Sequence, residues 1–222
     1  RLTDLELPEK LAAIGKGAFR NCSGLTSLSI PYPVTTIADH AFTGCSGLTE
    51  VKLGIAVTSI GGYAFSGCRR LKELTIPDKV TTFGPGAFAS CESLERMTIP
   101  AGLTHVISTS PTSSGGAVLS PFFGCSGLRS VTIKVPSVAT GYTDWIGSEP
   151  LKTTGVTEII FSEGVTTIGD SAFRGRTALK SLTLPASLTA IGGNAFYGCA
   201  ALAGLSFPAN LTSIGGSAFH GC

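Results

Sequence analysis

The chain has 222 residues, with 16 Lys and Arg against 14 Asp and Glu, a formal net charge of +2. So weak a balance argues against nucleic acid or an anionic membrane surface as the partner. Charged residues make up only 14%, yet no apolar run approaches the roughly 18 residues of a membrane span, which speaks against direct membrane insertion of this segment.

The sequence repeats itself. Starts at Leu2, Leu25, Leu48, Leu71 and Leu94 lie 23 residues apart; irregular copies begin at Leu128 and Val156, and regular ones at Leu179 and Leu202. A fixed period of this length marks a stacked array and decides the fold. The copy at 71–93 reads LKELTIPDKVTTFGPGAFASCES. Leu74 and Ile76 lie two apart, so both face one side of a short strand and Thr75 faces the other. Pro77 ends that strand by fixing φ and removing a donor. Residues 80–83 form a second extended piece, closed by Gly84, which is expected to take positive φ. The A-F-x-[GS]-C segment, with Ala87, Phe88, Ser90 and Cys91, has room for one helical turn, and its apolar types are those most often buried.

One such unit cannot bury its apolar face alone, whereas stacked units cover one another. The expected fold is a right-handed solenoid of parallel short strands with short helical turns, built from about nine 23-residue repeats. Coils about 4.8 Å apart would make it roughly 40–45 Å long. Residues 1–222 read as one solenoid cut from a longer protein, with insertions near 107–121 and 136–155.

In chain order, repeat one carries Asp4 and Glu6 on its strand. It has Asn21 where Gly44, Gly67, Gly124, Gly175, Gly198 and Gly221 stand in other copies. A left-handed backbone explains that exchange, since Asn tolerates it best after Gly. Repeats two to four are regular, and their outward strand positions include Glu50, Lys52 and Glu73; Arg96 follows in repeat five. A threonine column runs through Thr35, Thr58, Thr81, Thr104, Thr166, Thr189 and Thr212. It reads as a solvated sheet surface with mutual hydrogen bonding.

Repeat five spans 34 residues, 11 more than the period, and the excess at 108–120 has loop composition. Phe122, Phe123, Gly124 and Cys125 restore the register. Repeat six replaces the A-F-x-G-C segment with ATGYTDWIGSEPLKTTG, which holds Tyr142, Asp144, Trp145 and Glu149. Insertions in a solenoid tend to emerge on one side, often the binding side. Alternatively, Trp145 fills the volume left by the missing Ala-Phe pair. Val156 restarts the array, with Arg176 in the place of the repeated cysteine.

Seven cysteines occupy one repeat position: Cys22, Cys45, Cys68, Cys91, Cys125, Cys199 and Cys222. An odd number forbids full pairing, and parallel Cβ vectors disfavour bridges between neighbours. A linear ladder also lacks the four convergent ligands of a zinc site. The cysteines are therefore read as buried thiols acting as small apolar residues. His40, His105 and His220 have no Cys, Ser or carboxylate partner at a repeating spacing, and no nucleophile, metal or nucleotide motif is present. No catalytic residue, cofactor or metal is assigned, and the chain is read as a non-enzyme.

The pattern L-x-x-L-x-[LI]-P…[VL]-T-x-I-G-x-x-A-F-x-G-C resembles the BspA-like class of leucine-rich repeats, found in surface proteins of bacteria and of some protists. The resemblance covers seven copies well, weakens at Val156 and keeps only the strand at Leu128. It implies a leucine-rich-repeat solenoid used for recognition or adhesion at the cell surface, binding a protein or glycan partner. The alternative is an architectural subunit docked inside a larger assembly. Recognition needs something that does not repeat. The residues that offer it are Tyr142, Asp144, Trp145 and Glu149 with the loop 108–120, and secondarily Glu50, Lys52, Glu73 and Arg96.

Overall fold

In the computed structural model, the short apolar-alternating segments pair with their counterparts in neighbouring coils. The residues described are 2–103, 121–135 and 155–222, with the backbone of 105–106 and 137–138. They fall into two units, Arg1–Leu128 and Arg129–Cys222.

In the first unit the leading strands are β1 (Ser27–Ser29), β3 (Glu50–Lys52), β5 (Glu73–Leu74) and β7 (Arg96–Ile99). All pairing is parallel. Ser27 lies opposite Glu50, a bridge joins Lys52 to Thr75, and Glu73 lies opposite Arg96. The trailing strands β2 (Thr36–Ile37), β4 (Ser59–Ile60), β6 (Thr82–Phe83) and β8 (His105–Val106) form a second ladder in that order. In the second unit β9 (Ser130–Ile133), β11 (Glu158–Phe161) and β13 (Ser181–Thr183) form the leading ladder. The trailing one is β10 (Ser137–Val138), β12 (Thr167–Ile168), β14 (Ala190–Ile191) and β15 (Ser213–Ile214).

Alternation along the leading strands turns every second side chain inward. Leu28, Val51, Leu74 and Met97 are buried in the first unit, Val131 and Ile159 in the second. Leu5, Leu182 and Leu205 of the same column are only half-buried. The segments around Leu5 and Leu205 join no strand, and Leu182 has a strand partner on one side only. Beneath the strands the phenylalanines stack. Rings of Phe19, Phe42, Phe65, Phe88 and Phe122 follow one another at 5.3–5.9 Å, nearly parallel. Phe173, Phe196 and Phe219 do the same at 5.3 and 5.2 Å. Phe122 thus takes the column position of the longer repeat.

The expected helical turns do not form among the described residues; the A-F-x-G-C segments are chained four-residue β-turns. Thr43 N–H donates to the His40 carbonyl and Cys45 N–H to the Phe42 carbonyl, at 3.1 and 3.2 Å. The cause is left-handed backbone at both ends of the segment, which stops a right-handed helix. His40 and Tyr63, just before Ala-Phe, have φ of 58° and 55°, and Gly44 and Gly67, just before Cys, have 76° and 75°. Asn21 sits at 62°, as its exchange with glycine predicted. These turns aim N–H groups at the next coil, so that Phe42 N–H meets the Ala64 carbonyl at 2.8 Å.

Two expectations are corrected. Gly84 and its counterparts Gly61, Gly192 and Gly215 do not take positive φ. They are required because the coils touch: a Cβ on Gly61 would lie 2.6 Å from the Asp39 amide nitrogen. Nor do the threonine hydroxyls chiefly bond each other along their column. Thr58, Thr81, Thr189 and Thr212 each donate Oγ1 to the carbonyl of the threonine one coil earlier, at 3.0–3.2 Å. The same carbonyl receives that residue's N–H at 2.8 Å. In these four the hydroxyl proton is spent on the stack, which leaves them only acceptor lone pairs to offer a ligand.

Candidate recognition surface

The outward face of the leading ladder in the first unit carries exposed hydroxyls at Ser27, Ser29 and Thr75. Within this face the ladder brings together Glu50, Lys52, Glu73 and Arg96. Lys52 Nζ lies 3.0 Å from Glu50 Oε1 on the same strand. Arg96 Nη2 lies 3.1 Å from Glu73 Oε2 on the neighbouring strand. The bridge between Lys52 and Thr75 sets Glu50 beside Glu73, so each carboxylate of a like-charged pair has its own cation. All four side chains are 59–74% exposed. Ion pairs that open to water contribute about 0–1 kcal/mol each, so this group is not what holds the fold. Its backbone is fixed by the ladder while its heads remain free to exchange one partner for another.

A second outward feature escaped the sequence reading. The rings of His40 and Tyr63 stack at 5.1 Å, and those of Tyr197 and His220 at 4.8 Å. The guanidinium of Arg174 lies 4.9 Å over the Tyr197 ring, making a three-coil column of Arg, Tyr and His. The signal was available, since both stacked pairs are 23 residues apart.

The cysteines line the inside of the same turns, and all seven are free. They do more than fill space. Each thiol from Cys45 onward donates to the carbonyl of a phenylalanine in the preceding coil. Cys45 reaches Phe19 at 3.1 Å, Cys68 reaches Phe42 at 3.5 Å, and Cys199 reaches Phe173 at 3.2 Å. Cys125 makes the bond to Phe88 37 residues back where the others reach 26, the difference being the 11-residue excess of repeat five. Burial pushes the Cys45 and Cys199 thiols up to about 11. Burial raises Cys68 further, and a hydrogen bond with Cys125 together with burial raises Cys91. These are protonated, unreactive thiols at neutral pH.

Tyr142, Asp144, Trp145 and Glu149, with the loop 108–120, lie outside the described residues. Among the described residues no group of three or more His, Cys, Asp and Glu could hold a metal ion, and no helix is long and apolar enough to cross a membrane.

Comparison with known families gives a match to the one described as BspA type leucine rich repeat region, in six copies, over residues 1–111 and 144–222. No curated protein matches the chain. Among solved structures, a leucine-rich repeat protein from Bacteroides ovatus ATCC 8483 is 24% identical, with 94% of this chain and 79% of that one covered and a TM-score of 0.43. The T. pallidum leucine rich repeat protein is 26% identical over 85% of this chain and 70% of its own, with a TM-score of 0.49. A leucine rich cell surface protein from Faecalibacterium prausnitzii A2-165 is 26% identical over 93% of this chain, with a TM-score of 0.38; the chain spans 54% of its length.

Proposed function

Because the chain belongs to the BspA-type leucine-rich repeat family, we propose that it is a non-catalytic recognition or adhesion module at the cell surface, binding a protein or glycan partner. The observation that carries this reading is the group Glu50, Lys52, Glu73 and Arg96, clustered on a fixed outward face and contributing little to the fold. A rigid backbone with exposed, exchangeable charged heads suits recognition rather than chemistry. The loop 108–120 and the segment holding Tyr142, Asp144, Trp145 and Glu149 supply the remaining non-repeating chemistry, and we assign them the principal contact, with the strand face secondary.

The test is adhesion of protein-coated beads to cultured cells and to a glycan array. Removing 108–120, or Trp145→Ala in protein that still folds, should weaken adhesion. No change in both, with loss on Lys52→Glu or Arg96→Glu, would move the site to the strand face. No change in all four would favour the architectural alternative.

A further inference from the structure

The leading segment of the first coil stays out of its ladder. Among the described residues, no backbone hydrogen bond links residues 2–10 to β1. The rest of that coil is held firmly. Ile14 bridges Ile37, Phe19 N–H donates to the Ala41 carbonyl at 2.9 Å, and Asn21 N–H donates to the Thr43 carbonyl at 2.7 Å. The first coil is therefore splayed from the second on one side only. A cleft of about 700 Å³ occupies the gap, lined by Leu5, Glu6, Leu7, Glu9, Ser29 and Tyr32 with neighbouring residues of the second coil.

At Ser29 the cleft meets the end of an unused strand edge. Thr49 N–H donates to the Thr26 carbonyl at 2.9 Å, and Ile30 N–H donates to the Lys52 carbonyl at 2.8 Å. Those bonds turn Thr26 and Ile30 toward the third coil. Alternate residues of a parallel strand address opposite neighbours, so the N–H and C=O groups of Ser27 and Ser29 point to the first coil. Among the described residues they have no hydrogen-bond partner there. An open edge of this kind is a template for another strand.

Charge and surface chemistry narrow the occupant. Glu6 and Glu9 line the cleft, no Lys or Arg does, and neither carboxylate is in an ion pair among the described residues. Tyr32, which lines the cleft, is 65% exposed and gives its rim an apolar ring. We propose that the cleft between the first and second coils takes an extended, lysine-bearing peptide segment of a partner protein, added as a strand to the edge of β1. Its backbone pairs with Ser27 and Ser29, its apolar side chains rest on Leu5, Leu7 and Tyr32, and its ammonium groups meet Glu6 and Glu9. A glycan could use the tyrosine and the carboxylates, but it has no alternating donors and acceptors to match a strand edge. This proposal uses no residue of the insertions and stands whether or not they bind.

The probe is the peptide Ac-Lys-Val-Lys-Val-Lys-Val-NH2, titrated into isotope-labelled protein and followed by amide NMR. Saturable shifts are expected at Glu6, Ser27, Ser29 and Tyr32. Combined Glu6→Gln and Glu9→Gln should weaken binding at least tenfold, Glu92→Gln should leave it unchanged, and the peptide N-methylated at alternate residues should not bind. Deleting 108–120 should leave the titration as it is, which separates this site from the adhesion reading. Absence of saturable shifts at millimolar peptide overturns the proposal. So does equal binding of the N-methylated peptide or by the double variant, and so does cellohexaose moving these amides where the peptide does not.

Discussion

The Cys91 thiol donates to the Phe65 carbonyl across 3.3 Å, from one coil to the coil before it. That carbonyl already receives the N–H of Cys68, in its own turn, at 3.2 Å. One lone pair closes the turn and the other ties the next coil down, so the repeat position favours a small side chain that is apolar yet able to donate.

Alkaline titration should expose this arrangement. An unfolded thiol titrates near 9, while burial holds Cys45 and Cys199 at about 11. Below the unfolded value both states keep the proton and the contribution is full. Between 9 and 11 the unfolded chain loses its protons first, so stability falls as pH rises through that window. Urea midpoints should be level from neutral pH to about 8.5 and then drop, and Cys45→Ala should flatten the drop. A profile that stays level to pH 11 would show that these thiols are not held protonated by the fold.

Accessibility should divide the cysteines. Cys222 is exposed, Cys22 is half-buried and the other five are buried. Ellman's reagent should react at once with Cys222, slowly with Cys22, and with the rest only in denaturant. Rapid native labelling of Cys68 or Cys91 would contradict the packing.

The aromatic column should be a main source of stability. Phe88 is fully buried and lies between the rings of Phe65 and Phe122. Phe88→Ala should cost about 3–5 kcal/mol, with losses felt in both neighbouring coils. Phe219, half-buried, should cost less. Thermal melts of the two variants give the comparison, and a Phe88→Ala curve overlaying the parent would refute it.

Two adjacent glycines should behave oppositely. A Cβ on Gly215 would fall 2.7 Å from the Gly192 carbonyl carbon, whereas one on Gly216 meets nothing within 4 Å. Gly215→Ala should destabilise by about 1–3 kcal/mol through overpacking of backbone on backbone. Gly216→Ala should be neutral or stabilising by up to about 1 kcal/mol, since it restricts the unfolded chain. Equal urea midpoints for the two variants would disprove the close-approach account.

On the charged face, Arg96→Glu removes a pair whose members are 67% and 69% exposed. The stability change should stay within about 1 kcal/mol, which makes the variant a clean probe of adhesion. A much larger loss in a urea melt would mean that the group belongs to the fold rather than to recognition.

Much of this was legible because the period writes itself into residue types. Leu74 with Ile76 gives a strand face, and the recurring Phe gives a column. The charged group could be read too, since the 23-residue strand register brings Glu73 opposite Arg96. Other features leave no consensus letter. The left-handed position before Ala-Phe is held by Gly17, His40, Tyr63, Gly86, Ser171, Asn194 and Ser217. Bonds such as Tyr63 N–H to the Pro85 carbonyl, 2.9 Å, join that position to the next coil whatever its side chain. Gly84 was assigned the wrong reason because sequence does not tell a dihedral requirement from a contact with the coil behind. The cleft at Glu6 and Tyr32 was invisible because residues 5–7 read like any other leading strand.

Strand register and repeat length share the value 23 in every regular pairing. Recombination can therefore cut at any phase of the repeat. A duplication or loss of one whole period rejoins every ladder, because each residue finds a partner of its own kind above and below. The hydrogen bonds also carry direction. Thr58 N–H and the Cys45 thiol reach back to the previous coil, while Phe42 N–H reaches forward to the next. A coil copied in the same sense fits anywhere in the regular run, and a coil turned end for end fits nowhere. Such a scaffold can change length by whole coils in single steps while keeping its grain.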